Sequence, residues 1–184
     1  MARAGLTPEI VVDLAIAIVD ESGPEAVTLS AVASRAGVAT PSLYKHVRNL
    51  AELTTLVSIR VMNELVDRGY EAIAGRSGDG ALRAFAHAWR GYAKDHPGRY
   101  AAMNNTAAPE LAEPAQRFID ISLAALRHYG LDGADAIHVT RGFRAAIHGF
   151  VTLESVGGFG LPYEIDESYD RLIDTLISGL PKPV

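Results

Sequence analysis

A polar run between residues 40 and 46 carries the side chains that are best suited to chemistry with another molecule. Its members offer two hydroxyl groups, a phenol, an ammonium group and an imidazole around one proline. The residues of the run are Thr40, Pro41, Ser42, Tyr44, Lys45 and His46. Such groups form hydrogen bonds with base edges in the major groove and with phosphate oxygens. The run therefore suits contact with double-stranded DNA, while Leu43 and Val47 between and after its members are predicted core residues.

The sequence around the polar run predicts two short helices that are joined by a tight turn and preceded by a longer helix. Apolar residues at spacings of three and four predict the longer helix, which begins after Thr7 and ends in residues 22–24. The short helices are predicted over residues 28–36 and 41–47, and Gly37 between them supplies a backbone conformation that a side chain would penalise. This arrangement is typical of a helix-turn-helix unit, whose second helix enters the major groove.

The remainder of the chain also shows helical periodicity. Asn49 lies three residues before Glu52, the spacing of a capping box, and predicts a fourth helix that runs to about residue 74. The glycine-rich residues 75–80 predict a hinge. Further helical patterns lie near residues 80–95, 110–129, 134–156 and 165–179, with breaks at Pro97-Gly98, Pro109, Gly130 and residues 157–162. No alternating run is bounded by hairpin turns, so the predicted fold class is all-α.

The charge of the chain is distributed unevenly. The 17 basic and 22 acidic side chains give a formal net charge of −5, which argues against a nucleic-acid partner for the chain as a whole. Residues 26–51, however, contain three basic residues and no acidic one, so the predicted DNA face is locally positive. Because affinity follows the number of phosphates neutralised, so few cations favour a dimer that binds two half-sites.

Residues 27–53 strongly resemble the DNA-binding domain of the TetR family of transcriptional regulators. The resemblance rests on an Ala-Gly-Val turn at residues 36–38 and a Leu-Tyr-Lys-His core at residues 43–46, and it extends over roughly residues 7–56. It implies a two-domain, all-helical protein. The implied domains are a helix-turn-helix DNA-binding domain over residues 1–56, with a connecting helix to about residue 74, and a C-terminal effector-binding and dimerisation domain over residues 79–184.

The resemblance also implies roles for individual residues. Thr28 would cap the second helix and touch a phosphate, while the polar run would approach bases and backbone. The implied DNA-binding residues are Thr28, Arg35, Thr40, Pro41, Ser42, Tyr44, Lys45 and His46. Tyr44 keeps two equally supported interpretations, which are DNA contact and packing of its ring beneath the motif. The chain departs from the family at Leu50, where a lysine commonly anchors a phosphate, and Arg48 would replace that contact only in part.

The C-terminal half carries aromatic residues on helical faces. Phe85, Trp89 and Tyr92 share one face, which is typical of a core and, in a second interpretation, of a ligand pocket. Trp89 and the pair His148-Gly149 are similar to the signatures of TetR-type C-terminal domains of the Trp/His-Gly (WHG) type. The resemblance implies a domain that receives a ligand and dimerises. The candidate effector-binding residues are Trp89, Tyr92, Met103, Phe118, Arg141 and His148.

The helix predicted over residues 134–156 has two further faces. Its strip of small residues lets a second helix approach closely, and the resemblance implies that this helix and residues 165–179 pair with those of a second subunit as a four-helix bundle. The candidate dimer-interface residues are Gly149, Leu153, Leu172 and Leu176. Arg141 and His148 lie on another side, which is either solvated or turned toward a polar or anionic effector.

Catalytic signatures are missing from the sequence. It contains no phosphate-loop motif, no His-Glu-x-x-His and no Gly-x-Ser-x-Gly. Asp135 and His138 have the spacing of two metal ligands, but nothing nearby completes a set, and a surface pair is the simpler interpretation. We therefore predict a protein that is not an enzyme and that has no cofactor and no metal.

Our main hypothesis is a cytoplasmic, homodimeric, sequence-specific repressor that a small-molecule effector releases from a double-stranded DNA operator. No apolar run approaches the roughly 18 residues that span a bilayer, so no membrane contact is expected. The alternative is a helical small-molecule-binding or catalytic protein whose N-terminal unit makes protein contacts. A non-specific architectural DNA binder is disfavoured by the few cations and by the acidic C-terminal half.

Overall fold

The computed structural model describes residues 5–103 and 109–181, and within these ranges the chain is helical without a β-strand. Its α-helices are α1 Pro8–Ser22, α2 Leu29–Ala36, α3 Leu50–Ile73, α4 Gly78–Asp95, α5 Pro97–Ala102, α6 Ala112–Leu126, α7 Gly133–Ser155 and α8 Ile165–Ser178. Short 3₁₀ helices cover Pro24–Ala26, Thr40–Lys45, Pro109–Leu111 and Arg127–Tyr129. The predicted all-α class is therefore confirmed, and most of the predicted helices lie within two residues of their expected ends.

Helix α4 begins at Gly78, so residues 78–80 of the predicted hinge are helical and only residues 74–77 lie between α3 and α4. The structure differs from the prediction in two further places. Residues Thr40–Lys45 form a 3₁₀ helix instead of the short α-helix predicted over residues 41–47. Its bonds join residues three apart, as the Ser42 N–H donates to the Ala39 carbonyl at 2.9 Å and the His46 N–H to the Leu43 carbonyl at 2.8 Å. The predicted break at Pro97-Gly98 is instead the start of α5, because proline is well suited to the first position of a helix.

The chain divides into two compact units that are discontinuous in sequence. The first consists of Met1–Asn63 and His96–Pro114, and the second of Glu64–Asp95 and Ala115–Val184. Helix α3 thus supplies residues to both units without a break. The two domains expected from the sequence, residues 1–56 and 79–184, stay a prediction. Those boundaries place the segment around α5 in the second domain, whereas it belongs to the first compact unit.

In the first unit, α1 is capped at both ends and packs closely against α5. The Thr7 hydroxyl accepts a hydrogen bond from the Ile10 N–H at 3.3 Å, and Gly23 ends the helix with a φ of 82°. Arg99 of α5 donates from Nε to the Asp20 carboxylate at 2.9 Å. A Cβ added to Gly98 would lie 2.5 Å from the Val19 carbonyl oxygen, so only glycine allows this approach.

In the second unit, α4 and α8 run antiparallel and are joined by a ladder of ion pairs. Its rungs are Arg83–Asp174, His87–Asp170 and Arg90–Asp166. The Arg90–Asp166 pair is the rung whose basic side chain is most deeply buried. Arg90 lies against the rings of Tyr169 and Phe150, whose centroids are 4.8 and 5.7 Å from its guanidinium carbon.

Arg90 also joins α7 to this ladder through a bidentate bond with Glu154. Its Nε and Nη2 donate to the two carboxylate oxygens at 2.7 and 2.6 Å, and Nη2 also lies 2.6 Å from the Asp166 carboxylate. The hydrogen bond from Arg90 lowers the pKa of Glu154 against the opposing effect of its burial. One guanidinium thus holds three helices of the second unit together.

We predict that Gly98→Ala destabilises the chain, because the new methyl group would press on a backbone oxygen. Overpacking of this kind costs about 1–3 kcal/mol of unfolding free energy. Urea unfolding followed by circular dichroism measures the change. Gly80→Ala is the matched control, since a Cβ there meets nothing within 4 Å. Equal stability of Gly98→Ala and the unaltered chain would contradict the close approach of α5 to α1.

We also predict that Glu154→Gln lowers the free energy of unfolding by about 1.5–3 kcal/mol, because it removes the charge from a carboxylate that is bonded to the buried Arg90. Glu167→Gln is the control: its pairing with Arg171 is exposed, and the expected change is below about 0.5 kcal/mol. Because the pKa of Glu154 is depressed in the folded chain, its stabilisation is complete above the ordinary value of 4.5 and is lost as the pH falls through the folded-state value. Denaturant titrations at several acidic pH values should show this loss in the unaltered chain and less of it in Glu154→Gln.

Candidate functional site

The turn before the polar run is fixed by backbone geometry. Thr28 caps α2, since its hydroxyl accepts a hydrogen bond from the Ala31 N–H at 3.0 Å. Gly37 ends α2 in the left-handed conformation, with φ 68° and ψ 32°. The Val38 N–H then bonds back to the Ala33 carbonyl at 3.0 Å, which closes the helix end. The chain therefore leaves α2 in a single defined direction.

The 3₁₀ helix Thr40–Lys45 has one anchored side and two outward sides. Its three residues per turn place every third side chain in one row. Leu43 is fully buried, and Thr40 and His46 in the same row are half-buried. Tyr44 and Lys45 project outward instead, and 56% of the Tyr44 surface is exposed. Packing of the Tyr44 ring beneath the motif, one of its two interpretations, is therefore not observed.

The remaining members of the polar run have intermediate positions. Pro41 is exposed in the same row as Tyr44, and Ser42 is half-buried in the row of Lys45. Val47 follows the segment and is buried beside Leu43. The structure thus brings the predicted residues of the run together on one short element. Their contact with bases or phosphates stays a prediction.

The cations of this region differ in their partners. Arg35 makes a bidentate bond with Glu21, including one contact of 2.6 Å, and Arg48 Nε lies 3.0 Å from the Glu52 carboxylate. Both pairs reach the surface, where an ion pair contributes little and a phosphate can replace the carboxylate. Lys45 has no carboxylate partner in the part of the chain that the structure describes.

The start of α3 shows a variation on the predicted capping box. The Asn49 side chain accepts a hydrogen bond from the Glu52 N–H at 2.9 Å, as expected. The Glu52 carboxylate, however, bonds the N–H of Arg48 instead of that of Asn49, and this bond lowers the pKa of Glu52. Leu50, which replaces the lysine common in the family, begins α3 with 38% of its surface exposed. An exposed apolar side chain thus follows the polar run of residues 40–46, which is the candidate DNA-binding surface.

A cleft lies among α4, α6 and α7 of the second unit. The apolar side chains of its wall are Leu82, Phe85, Trp89, Phe118, Leu126, Phe143 and Ile147. Trp89 meets Phe118 edge to face, with ring centroids 4.9 Å apart. The free volume is about 290 Å³ when the open mouth is included, but the surrounding side chains leave little of it accessible. The cleft as it stands therefore has room for about one water molecule.

Three polar side chains complete the cleft wall. The Ser122 hydroxyl donates to the Phe118 carbonyl at 2.8 Å. The Thr140 hydroxyl is buried and has no hydrogen-bond partner among the described residues. The guanidinium carbon of Arg144 lies 5.5 Å from the centroid of the Phe118 ring. Arg144 is the single charged residue among those that line the cleft.

The candidate effector residues are placed in different parts of the structure. Trp89 and Phe118 line the cleft. Tyr92 is buried and donates to the Glu64 carboxylate at 2.8 Å, outside the cleft lining. Met103 belongs to the first unit. Two further candidates, Arg141 and His148, are exposed and half-buried, and neither lines the cleft.

Sequence reasoning missed most of the polar cleft wall. Thr140, Phe143, Arg144 and Ile147 have the spacing of one helix face, which was a signal available in the sequence. Burial, followed by the charge of Arg144, lowers the pKa of His148, so both effects favour the neutral imidazole.

The candidate dimer residues lie on an outward face of α7 and on the rim of α8. A Cβ added to Gly142 or Gly149 meets nothing within 4 Å, and Leu153 is 50% exposed. Leu172 and Leu176 are half-buried beside the buried core side of α8. Apolar residues after α7 are exposed as well, namely Val156, Leu161 and Tyr163. Several exposed large apolar side chains in one stretch of the chain are typical of a protein interface.

Residues 5–103 and 109–181 contain no group of three or more His, Cys, Asp or Glu side chains that could hold a metal ion. No helix in these ranges is both long enough and apolar enough to span a bilayer.

Comparisons with known proteins assign both parts of the chain. Residues 11–53 match the family model of bacterial regulatory proteins of the tetR family, and residues 82–176 match that of the tetracyclin repressor-like C-terminal domain. The more specific Trp/His-Gly type stays a prediction. An uncharacterised HTH-type transcriptional regulator of Mycobacterium tuberculosis is 37% identical over 97% of this chain and 84% of its own length. Another, from Bacillus subtilis, is 32% identical over 97% of this chain and 94% of its own length.

The fold is likewise shared with a solved structure. A TetR variant from Acinetobacter baumannii, in complex with minocycline, has a TM-score of 0.75 at 18% identity, covering 95% of this chain and 96% of that chain. The matched families, the relatives and the exposed side chains of the 3₁₀ helix Thr40–Lys45 agree with one another. The chain belongs to the TetR family, and it is a DNA-binding transcriptional regulator with a helix-turn-helix domain.

Proposed function

We propose that this regulator is a homodimeric repressor that holds its operator through the recognition segment of each subunit, defined as residues 28–48, and that a small molecule releases it. The observation that carries the proposal is the exposure of Tyr44 and Lys45 on a 3₁₀ helix anchored by buried Leu43 and Val47. Such a helix presents its outward side chains to a major groove. Binding of this kind represses transcription when the operator overlaps a promoter, and we expect it to take place in the cytoplasm.

The local charge supports binding as a dimer. Each recognition segment carries Arg35, Lys45 and Arg48, and two of these are engaged with carboxylates in the free protein. Three cations neutralise few phosphates, and affinity falls steeply with salt when phosphate contacts dominate. Two segments at a separation of about one helical turn, roughly 34 Å, double the contacts and read two half-sites.

The exposed face of α7 supports the same assembly. Gly142, Gly149 and Leu153 offer an open surface of small and apolar residues on this helix. Small residues allow a second helix to approach closely, and the exposed area is apolar. Close packing would also explain the glycines, since each weakens an isolated helix by about 1 kcal/mol relative to alanine.

Release by a small molecule is supported by the family and by the cleft. The TetR variant described above binds minocycline in its crystal structure. A ligand changes an equilibrium between two states only through its different affinity for them. Helix α3 belongs in part to each unit of this chain, so it is a continuous covalent element along which a change in one unit can reach the other.

We predict that Tyr44→Ala and Lys45→Ala each weaken specific DNA binding by tenfold or more, because each removes a contact of about 1–3 kcal/mol. Lys45→Ala should also reduce the slope of log affinity against log salt by about 2 per dimer, one phosphate being lost in each half. Gel-shift titration on the upstream region of the protein's own gene and its neighbours measures both effects.

The controls are Tyr70→Ala and Arg171→Ala, which change an exposed tyrosine and an exposed arginine outside the recognition segment. They should leave DNA affinity unchanged. Failure of the purified dimer to bind any site at low salt would contradict the proposal. An effect of Tyr44→Ala on ligand turnover alone would favour the alternative of a helical small-molecule-binding or catalytic protein.

We predict that Leu153→Glu converts the dimer to a monomer, because it buries an unpaired charge in the proposed interface, at a cost of several kcal/mol. Light scattering after size-exclusion chromatography measures the mass in solution. Ser155→Glu adds the same charge on another side of α7 and should leave the dimer intact. A dimer that tolerates Leu153→Glu would place the interface elsewhere.

A further inference from the structure

We propose that the cleft among α4, α6 and α7 binds a small, apolar carboxylate, and that the Thr140 hydroxyl and the Arg144 guanidinium hold its carboxylate group. The inference rests on the proposed function in one respect, since it takes this cleft to be the effector site. The chemistry of the ligand, however, follows from the cleft wall alone.

Thr140 provides the first observation. Its side chain is 7% exposed and lines the cleft, yet its hydroxyl has no hydrogen-bond partner among the described residues. Other helical hydroxyls of this chain donate to the carbonyl four residues earlier, as Ser122 does to Phe118 at 2.8 Å and Thr175 does to Arg171 at 2.7 Å. Because an unsatisfied buried hydroxyl is unfavourable, Thr140 is poised to donate to a molecule that enters the cleft.

Arg144 provides the second observation. It follows Thr140 by one helical turn, so the two side chains lie on the same face of α7. Its guanidinium is placed over the Phe118 ring of the cleft wall, and no acidic residue lines the cleft. A guanidinium in a wall that contains no acidic side chain favours an anion, and its planar fork matches a carboxylate.

The remaining wall determines the body of the ligand. Phe85, Trp89, Phe118 and Phe143 surround the space with rings, which suits a phenyl group or a short aliphatic chain. The cleft admits about one water molecule as it stands, so a ligand must displace side chains as it enters. This displacement gives the ligand different affinities for the closed and the open cleft, which is the requirement for an effector.

The test measures binding directly on the full-length chain. Trp89 is the single tryptophan of the sequence and lines the cleft, so its fluorescence reports occupancy without a label. The probes are phenylacetate, 3-phenylpropionate and hexanoate, each paired with its uncharged amide. At least one carboxylate should bind and change the Trp89 emission, and its amide should bind about tenfold or more weakly, as loss of one charge-assisted contact implies. Calorimetry provides a second measure of affinity.

Variants identify the two groups that hold the carboxylate. Thr140→Val should weaken binding of the carboxylate about tenfold while raising the thermal midpoint of the free chain, because it removes an unsatisfied hydroxyl at nearly constant shape. Arg144→Gln should remove the preference for the carboxylate over its amide. Arg141→Gln is the matched control, since it removes an exposed charge from the same helix.

The outcomes separate this inference from the proposed function. The inference is overturned if none of the three carboxylates binds up to about 10 mM. It is also overturned if acids and amides bind equally well, or if Arg141→Gln loses binding and Arg144→Gln does not. The first of these results leaves Thr140 as a polar atom that a single water satisfies. A gel shift on the same preparation tests the regulator independently: DNA binding without carboxylate binding overturns the inference alone, and the reverse overturns the proposed function alone.

Discussion

The burial of Leu43 and Val47 is the constraint on which the recognition segment depends. A 3₁₀ helix of six residues is too short to be stable by its own hydrogen bonds. The two apolar side chains anchor it to the core, and the left-handed turn at Gly37 sets the direction from which it arrives. With these three positions set, Tyr44 and Lys45 have no room inside and face outward. The polar residues are thus positioned by the apolar ones.

The second unit contains one buried polar side chain that is fully paired and another that is not. Arg90 is almost completely buried, and its donors are matched by the carboxylates of Glu154 and Asp166, with aromatic rings on its faces. Such a matched charge ties α4, α7 and α8 into one body. The Thr140 hydroxyl, in contrast, is buried without a partner on the described part of the chain. The unpaired Thr140 hydroxyl therefore indicates a ligand site more strongly than the fully paired Arg90 does. A ligand that accepts a hydrogen bond from this hydroxyl gains a contact that the protein does not supply.

The local signals of the sequence were sufficient for most of the fold. Thr7, Thr28 and Asn49 cap the helices that their positions predicted, and Gly37 adopts the conformation that its place in the turn requires. These features depend on bonds within three or four residues, so they can be inferred from spacing. The inferences that failed were the helix type at Thr40–Lys45, the break at Pro97-Gly98, and the second half of the capping box, which bonds the N–H of Arg48. In each case two local backbone geometries are compatible with the sequence, and the surrounding packing decides between them.

The sequence by itself determined the helical class, the family and the identity of the polar run, because periodicity, caps and turn residues act over short distances along the chain. Only the tertiary structure decided that the Tyr44 ring is exposed, that Gly98 lies against the Val19 carbonyl, and that the Thr140 hydroxyl is buried without a partner. Such contacts join residues that are far apart in sequence, or depend on what the opposite wall of a cleft leaves unfilled. No pattern along a single helix records that opposite wall, so burial and the partners of a polar atom follow only from the packed chain.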